Sequence, residues 1–201
     1  MTMTEFVLAS GSPRRSMLLE GMGVDFIIIK PEVDEATRAG EPPQAYVRRL
    51  SEEKATAVAD QLQVSAYVLA ADTTVIYEGE ILGKPADEEE ARRMLLRLRG
   101  QHHQVCTGFT LMYMEAHTPQ KQVTEVVCSD VLMRDYAASD MERWIKSGQA
   151  FDKAGGYAIQ STVFQPVRSV RGSYNNVVGL PTEAVERALR GMGYVWEESG
   201  G

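Results

Sequence analysis

Strand-like and helix-like segments alternate through the early part of this chain, and paired strand-like stretches take over in the later part. That order favours a mixed-sheet α/β or α+β protein over a purely parallel one, since hairpins return the later strands antiparallel. "FVLA" is a candidate strand, "PRRSMLLEGMG" a helix stopped by glycine, and "DFIIIK" a second strand. The segment 42–62 begins with proline and sets Val47, Leu50, Ala57 and Val58 near helical spacing. "YVLAADTTVIYEGEILGKP" reads as a buried strand running into an acid and then a hairpin turning at Glu78 and Gly79. "DEEEARRMLLRLRG" is a helix with acids first and bases last, as the helix dipole prefers.

"HQVCTGFTLMYME" and "KQVTEVVCSDVLMR" read as an antiparallel pair joined around Thr118 and Pro119. "SDMERWIKSG" is a short helix, "YAIQ" and "VFQPVRSV" are candidate strands, and "PTEAVERALRGMG" closes as a helix before "YVWEE". No internal repeat or low-complexity tract interrupts this order. The 201 residues suffice for one substantial core, or one divided by a cleft, and 44% hydrophobic with 24% charged residues is an ordinary globular balance. No apolar run approaches the roughly 20 residues that span a bilayer, and the first residues lack the pattern of an export signal.

A net charge of −7 argues against broad binding to nucleic-acid backbones, which needs a positive surface. It leaves room for a small anionic ligand in a local cationic pocket. Cys106 and Cys128 lie in apolar alternating stretches and read as buried small hydrophobes in a reducing compartment, with a disulfide or metal role as the alternative. His102, His103 and His117 lack zinc-site spacing.

In "SGSPRR", Ser12 suits a helix N-cap, Pro13 the first helical residue, and Gly11 a tight turn. Arg14 and Arg15 then fall in the first turn, where cations are disfavoured unless an anion is present. Free amides, hydroxyls and guanidinium groups there make a phosphate cradle after a strand, without being a P-loop. The bland reading is a capped surface helix with solvated arginines. Lys54 follows Leu50 by four residues and Val47 by seven, so it projects from the core-facing side. A buried lysine needs a partner or an anion, although a snorkelling stem also explains it.

Asp72 follows "YVLAA" directly, at the carboxyl end of an apolar strand, where open α/β sheets bind ligands. It suits holding a divalent cation or taking a proton from water during attack on a phosphoanhydride; an Asx turn is the structural alternative. Lys84 lies on the constrained "GKP" turn, and Glu32, Asp34 and Glu35 form an acidic loop expected to face solvent. In "FDKAGGYAIQS", Asp152 and Lys153 either pair with each other or, before glycines that admit a ligand, meet one. Gln160 can donate and accept at the edge of a base.

Taken in order, "LASGSPRRSMLL", "RLSEEKA", "AADTTV", "GEILGKP", "HQVCTGFTL", "DKAGGYAIQ" and "GSYNNVVGLP" closely resemble the Maf family of nucleoside triphosphate pyrophosphatases, from about Val7 to the helix after Pro181. The resemblance implies one domain over 1–201 with an elongated mixed sheet flanked by helices. Two lobes would lie around a central cleft, as in the inosine triphosphate pyrophosphatases. It also implies a cytoplasmic homodimer that uses a divalent metal, Mg²⁺ or Mn²⁺; the acidic charge and the lack of a long apolar run lead us to expect no nucleic-acid or membrane partner.

By resemblance, Asp72 is the proton acceptor. Ser10, Arg15, Lys54 and Lys84 line the phosphate site, and Glu35 joins Asp72 in holding metal. Arg14, Thr73 and Gln160 match the substrate-choice positions of the subgroup acting on dTTP and UTP, and differ from those of the subgroup preferring 7-methyl-GTP. Ser12, Asp152 and Lys153 complete the candidate substrate contacts. Where relatives commonly read "SGEPLDKAGAYGIQG", this chain has Gln149, Ala150 and Ser161. The expected reaction is hydrolysis to monophosphate and pyrophosphate. The alternatives are a broader or modified-nucleotide housecleaning pyrophosphatase, and a nucleotide-sensing regulator of cell division with little turnover.

Overall fold

A computed structural model describes residues 5–115 and 118–196. In chain order the elements are β1 (Glu5–Ala9), α1 (Pro13–Gly21), β2 (Ile27–Ile28), α2 (Pro43–Ala59), β3 (Ala66–Tyr77), β4 (Glu80–Leu82) and α3 (Glu88–Leu98). They continue with β5 (His102–Glu115), β6 (Thr118–Met133), α4 (Ala138–Lys146), a 3₁₀ turn (Ala154–Gly156), β7 (Val167–Arg171), α5 (Tyr174–Val178) and α6 (Thr182–Met192). The described strands form a seven-stranded mixed sheet in the order β2-β1-β3-β5-β6-β7, with β4 paired to β3. β1 lies parallel to β2 and β3, whereas β4 and β7 run antiparallel to their neighbours. No described helix is long and apolar enough to cross a membrane.

The chain divides into two compact units. Unit one takes the chain up to Asp72, Thr107–Val127 and the chain from Gly179; unit two takes Thr73–Cys106 and Cys128–Val178. In unit one, alternation along the central strands feeds two cores. Phe6, Leu8, Tyr67, Leu69 and Ala71 pack with Leu19 of α1 and Val185 and Leu189 of α6. Val7, Ala9, Ala66, Val68 and Ala70 pack with Ala55, Val58 and Ala59 of α2. Both faces are covered, which is why "AYVLAA" is continuously apolar rather than alternating. Asp72, next in the same register as Val68 and Ala70, is directed to the α2 side.

Unit two builds its core from Val75, Val105, Val131 and Met133 on the strands and from Leu95, Leu98, Trp144 and Ile145 on α3 and α4. Asp87 caps α3 by accepting from the Glu90 amide at 2.8 Å, and Glu90 returns a carboxylate to the Ala86 amide at 2.7 Å. The hairpin turns where the sequence placed it: Tyr77 pairs with Glu80, and Glu78 and Gly79 both have positive φ, the conformation of a two-residue type I′ turn.

Five expectations need correction. "DFIIIK" contributes only two strand residues, and Thr118 and Pro119 lie inside β6 rather than in the connection; that connection, 116–117, is outside the described residues. "YAIQ" is not a strand, because Tyr157 leaves the 3₁₀ turn to bury its ring and meet His103 Nε2 through its hydroxyl at 2.7 Å. Of "VFQPVRSV" only Val167 to Val170 lie in a strand, β7, which runs on to Arg171. Cys106 and Cys128 are joined in a disulfide, with Cα atoms 4.1 Å apart. The Gln104–Asp130 and Thr110–Thr124 side-chain pairs run in the same opposed register, so the two cysteines face each other across β5 and β6.

His103 gives unit two a built-in acid sensitivity. It is buried, its Nδ1 has no hydrogen-bond partner, and burial, with His102 adding repulsion, pushes its pKa down to about 4. Folded imidazole therefore stays neutral while the unfolded chain takes up a proton below about 6.5. Stability is full above that value and is lost as pH falls towards 4. Urea unfolding is expected to lose about 2 kcal/mol between pH 7 and pH 5 from this group, and His103→Gln should flatten that slope. An equally steep slope in the variant would assign the loss elsewhere.

Candidate active site

β1 ends at Ala9 and the chain turns at once into the loop that starts α1. Ser10 is buried, and its hydroxyl is the centre of that loop, accepting from the Ser12 amide at 3.2 Å and from Arg15 Nη1 at 3.2 Å. Ser12 holds the N-cap position with Pro13 next, but its hydroxyl makes no capping bond. The loop folds on Ser10 instead. Arg15 Nε also donates to the Gly179 carbonyl at 2.8 Å. Burial lowers the pKa of its guanidinium, opposed by the charges of Asp72 and Glu35 and reinforced by Arg14. The first turn of α1 contains no acid, so Arg14 and Arg15 add to the positive end of the helix dipole.

Asp72 lies inside β3 rather than at its end, which corrects the sequence reading. The reason is a change of partner along the strand. Parallel pairing with β1 stops at Ala9 and Ala70, and antiparallel pairing with β4 begins at Val75. Asp72 thus stands just past the carboxyl end of the parallel ladder, as Ser10 does on β1, which is where such sheets gather ligand groups.

α2 supplies the counter-charge. Its buried residues are Val47, Leu50, Ser51, Lys54, Ala55, Val58 and Ala59, so Lys54 sits on the core stripe, as its spacing implied. Its ammonium lies 2.7 Å from Asp72 Oδ1 and 2.6 Å from Glu35 Oε1. Two carboxylates share one buried cation, and the lysine is paired rather than snorkelling. Glu35 was expected in a solvent-facing loop; its side chain is 47% exposed yet turned onto Lys54. Asp34 spends its carboxylate on the Ala36 amide at 2.9 Å, an Asx turn, and Glu32 is exposed, as expected of that loop.

The residues that hold Glu35 were not visible in the sequence. Tyr46 donates its hydroxyl to the Glu35 carbonyl at 3.0 Å, and burial, with Asp72 and Glu35 nearby, pushes its pKa up to about 12. Arg49 donates to both carboxylate oxygens of Glu41 at 2.6 and 2.7 Å, to Glu53 at 3.1 Å and to the Ala36 carbonyl at 3.1 Å. The sequence signal was the helical i, i+4 spacing of Arg49 and Glu53; Glu41 carried none.

The remaining candidates lie in unit two. Thr73 directly follows Asp72. Lys84 is exposed, and the Gly83 carbonyl beside it accepts from the Gly155 amide at 2.9 Å, which brings "GKP" and "DKAGG" together. Gly155 has φ +68°, and a Cβ there would meet Val75 at 3.1 Å, so this glycine serves close packing within the unit. Asp152 and Lys153 pair at 2.5 Å, and Lys153 also donates to the Gln149 carbonyl at 2.6 Å and lies over Trp144. Gln160 sits exposed on a turn. Ala150 is buried in the unit-two core, and Ser161 accepts from the Phe164 amide at 3.0 Å, a local turn role for that substitution.

Asp72 and Glu35 present hard oxygen donors around one cationic position. That set fits Mg²⁺ or Mn²⁺, since Mg²⁺ is usually held by one or two carboxylates plus substrate phosphates. No cluster of three or more His, Cys, Asp or Glu among the described residues makes an all-protein cage.

The sequence model of one family, described as Maf-like protein, matches residues 5–192. A dTTP/UTP pyrophosphatase of Syntrophus aciditrophicus is 44% identical over 193 residues, covering 96% of this chain and 92% of that protein. Another of the same name from Dictyoglomus thermophilum is 41% identical, covering 94% and 97%. Among solved structures, a HAM1 protein from Coxiella burnetii superposes with a TM-score of 0.54 at 14% identity, over 96% of this chain and 100% of that one. This last likeness is one of fold.

Proposed function

On the premise that the chain belongs to the Maf family, we propose that it hydrolyses dTTP and UTP between the α and β phosphates, releasing the monophosphate and pyrophosphate. The observation that best supports this chemistry is the buried Lys54 shared by Asp72 and Glu35, beside a helix start carrying Ser10, Arg14 and Arg15. The Ser10–Ser12 loop and the two arginines bind phosphate oxygens from the helix start. Asp72 takes the proton of a water whose oxygen attacks the α-phosphorus; the bond to the bridging oxygen breaks, and pyrophosphate leaves with the electron pair. Lys54 supplies positive charge where negative charge collects. Asp72 and Glu35 would hold a divalent cation, which neutralises phosphate charge when bound.

Thr73, Lys84, Asp152, Lys153 and Gln160 enter the proposal on the sequence reading, and the homodimer and the cytoplasmic location on the resemblance. The deciding experiment is product analysis by ion exchange after incubation with Mg²⁺ or Mn²⁺ and, separately, dTTP, UTP, CTP, ATP, GTP and 7-methyl-GTP. Monophosphate and intact pyrophosphate from dTTP and UTP are expected. Orthophosphate with diphosphate would contradict the bond choice, and no turnover would favour a nucleotide sensor.

A further inference from the structure

Residues 29–42 form no helix or strand, yet they carry Glu35. Left to itself, such a segment would sample many conformations, and the Glu35 carboxylate would meet Lys54 only part of the time. Side chains of α2 remove that freedom. Tyr46 and Arg49, three residues apart and therefore on one helix face, take the two consecutive carbonyls of Glu35 and Ala36 at 3.0 and 3.1 Å. Farther along the segment, Arg49 grips Glu41 through both carboxylate oxygens. Glu41 Oε2 in turn accepts from the Arg38 amide at 3.2 Å, and Arg38 donates to Glu53 at 2.9 Å.

The clamp is shielded from water: the Arg49 and Glu41 side chains are 12% and 10% exposed. The Arg49 guanidinium holds the Glu41 carboxyl down to about 2, so the pair is ionised throughout the neutral range. Lysine cannot reproduce this arrangement, because its single ammonium has no planar fork with which to hold a carboxylate and a carbonyl together.

We propose that Arg49 is a positioning residue, which by clamping Glu41 and the Ala36 carbonyl fixes Glu35 against the Lys54–Asp72 pair. The inference rests on the proposed reaction only in taking that pair as the reactive centre. Arg49 touches neither Asp72 nor Lys54; its effect on turnover passes through Glu35.

The test compares the full chain with Arg49→Ala, Arg49→Lys and Glu41→Gln by hydrogen exchange and by dTTP kinetics. Exchange at residues 35–41 should rise about tenfold or more in all three variants, while α6 stays protected. The kcat should fall roughly tenfold with KM within about twofold, the scale of lost outer-shell support. On a Glu35→Gln background, Arg49→Ala should cost less than about twofold more, because the two changes break one connection. Unchanged exchange, or a full multiplicative loss on the Glu35→Gln background, would overturn the proposal. Glu41→Gln keeps the shape of the clamp and serves if an Arg49 variant unfolds. If the unaltered chain does not turn over dTTP, the proposed activity falls, and the exchange arm still decides whether Arg49 holds the segment.

Discussion

Asp72→Asn is expected to unfold within about 1 kcal/mol of the parent and to hydrolyse dTTP roughly 10³-fold more slowly. The two expectations come from different atoms of one geometry. Asparagine fills the space of aspartate, and its amide oxygen can accept from the Lys54 ammonium that Asp72 Oδ1 now meets at 2.7 Å. Lys54 also keeps Glu35 at 2.6 Å, so the substitution strands no buried charge. What disappears is the basicity needed to take a proton from water. Lys54→Met behaves differently, since it leaves two carboxylates facing each other without a cation; about 3–5 kcal/mol is the usual cost of breaking such a buried pair. Turnover and urea unfolding measured on the same Asp72→Asn preparation separate the cases. Near-normal kcat would remove Asp72 as the base, and a loss of several kcal/mol would make it chiefly a structural partner of Lys54.

The sequence disclosed those features that repeat along one element. Val47, Leu50 and Lys54 declared a single helical face, and "AYVLAA" declared a strand covered on both sides. Glu78 and Gly79 declared a hairpin, because few residue pairs accept two positive φ values in succession. Features set by the choice of partner were hidden. β3 changes from parallel pairing with β1 to antiparallel pairing with β4 around Asp72, and nothing in "AADTTV" marks the exchange. The Cys106–Cys128 bond depends on the register of β5 against β6, which a separation of 22 residues does not reveal. Likewise Glu35 read as a solvated acid because its support comes from Tyr46 and Arg49, a helix away in sequence. Ser12 satisfied every local criterion for a cap, yet its hydroxyl makes no capping bond, and the loop is organised on the Ser10 hydroxyl, which accepts from the Ser12 amide and from Arg15.

Gly108→Ala is expected to destabilise unit one by at least about 3 kcal/mol, which lowers Tm by roughly 10 °C for a chain of this size. Gly108 lies in β5 where α2 crosses it, and a Cβ built there would sit 2.4 Å from the Val47 carbonyl oxygen and 2.6 Å from its carbon. These are backbone atoms of a helix, so no side-chain rotation relieves the clash; α2 must move as a body or β5 must bend. Moving α2 shifts Lys54, seven residues along the same helix, so residual turnover should fall further than the folded fraction alone explains. Gly191→Ala is the matched control. It adds the same methyl group inside α6, where nothing lies within 4 Å of the new Cβ, and should stabilise by about 0.5–1 kcal/mol. Thermal and urea unfolding of both variants gives the comparison directly. A Gly108→Ala loss under about 1 kcal/mol would mean that α2 can lift from β5 at little cost, and the close crossing would then not be what sets Lys54 against Asp72.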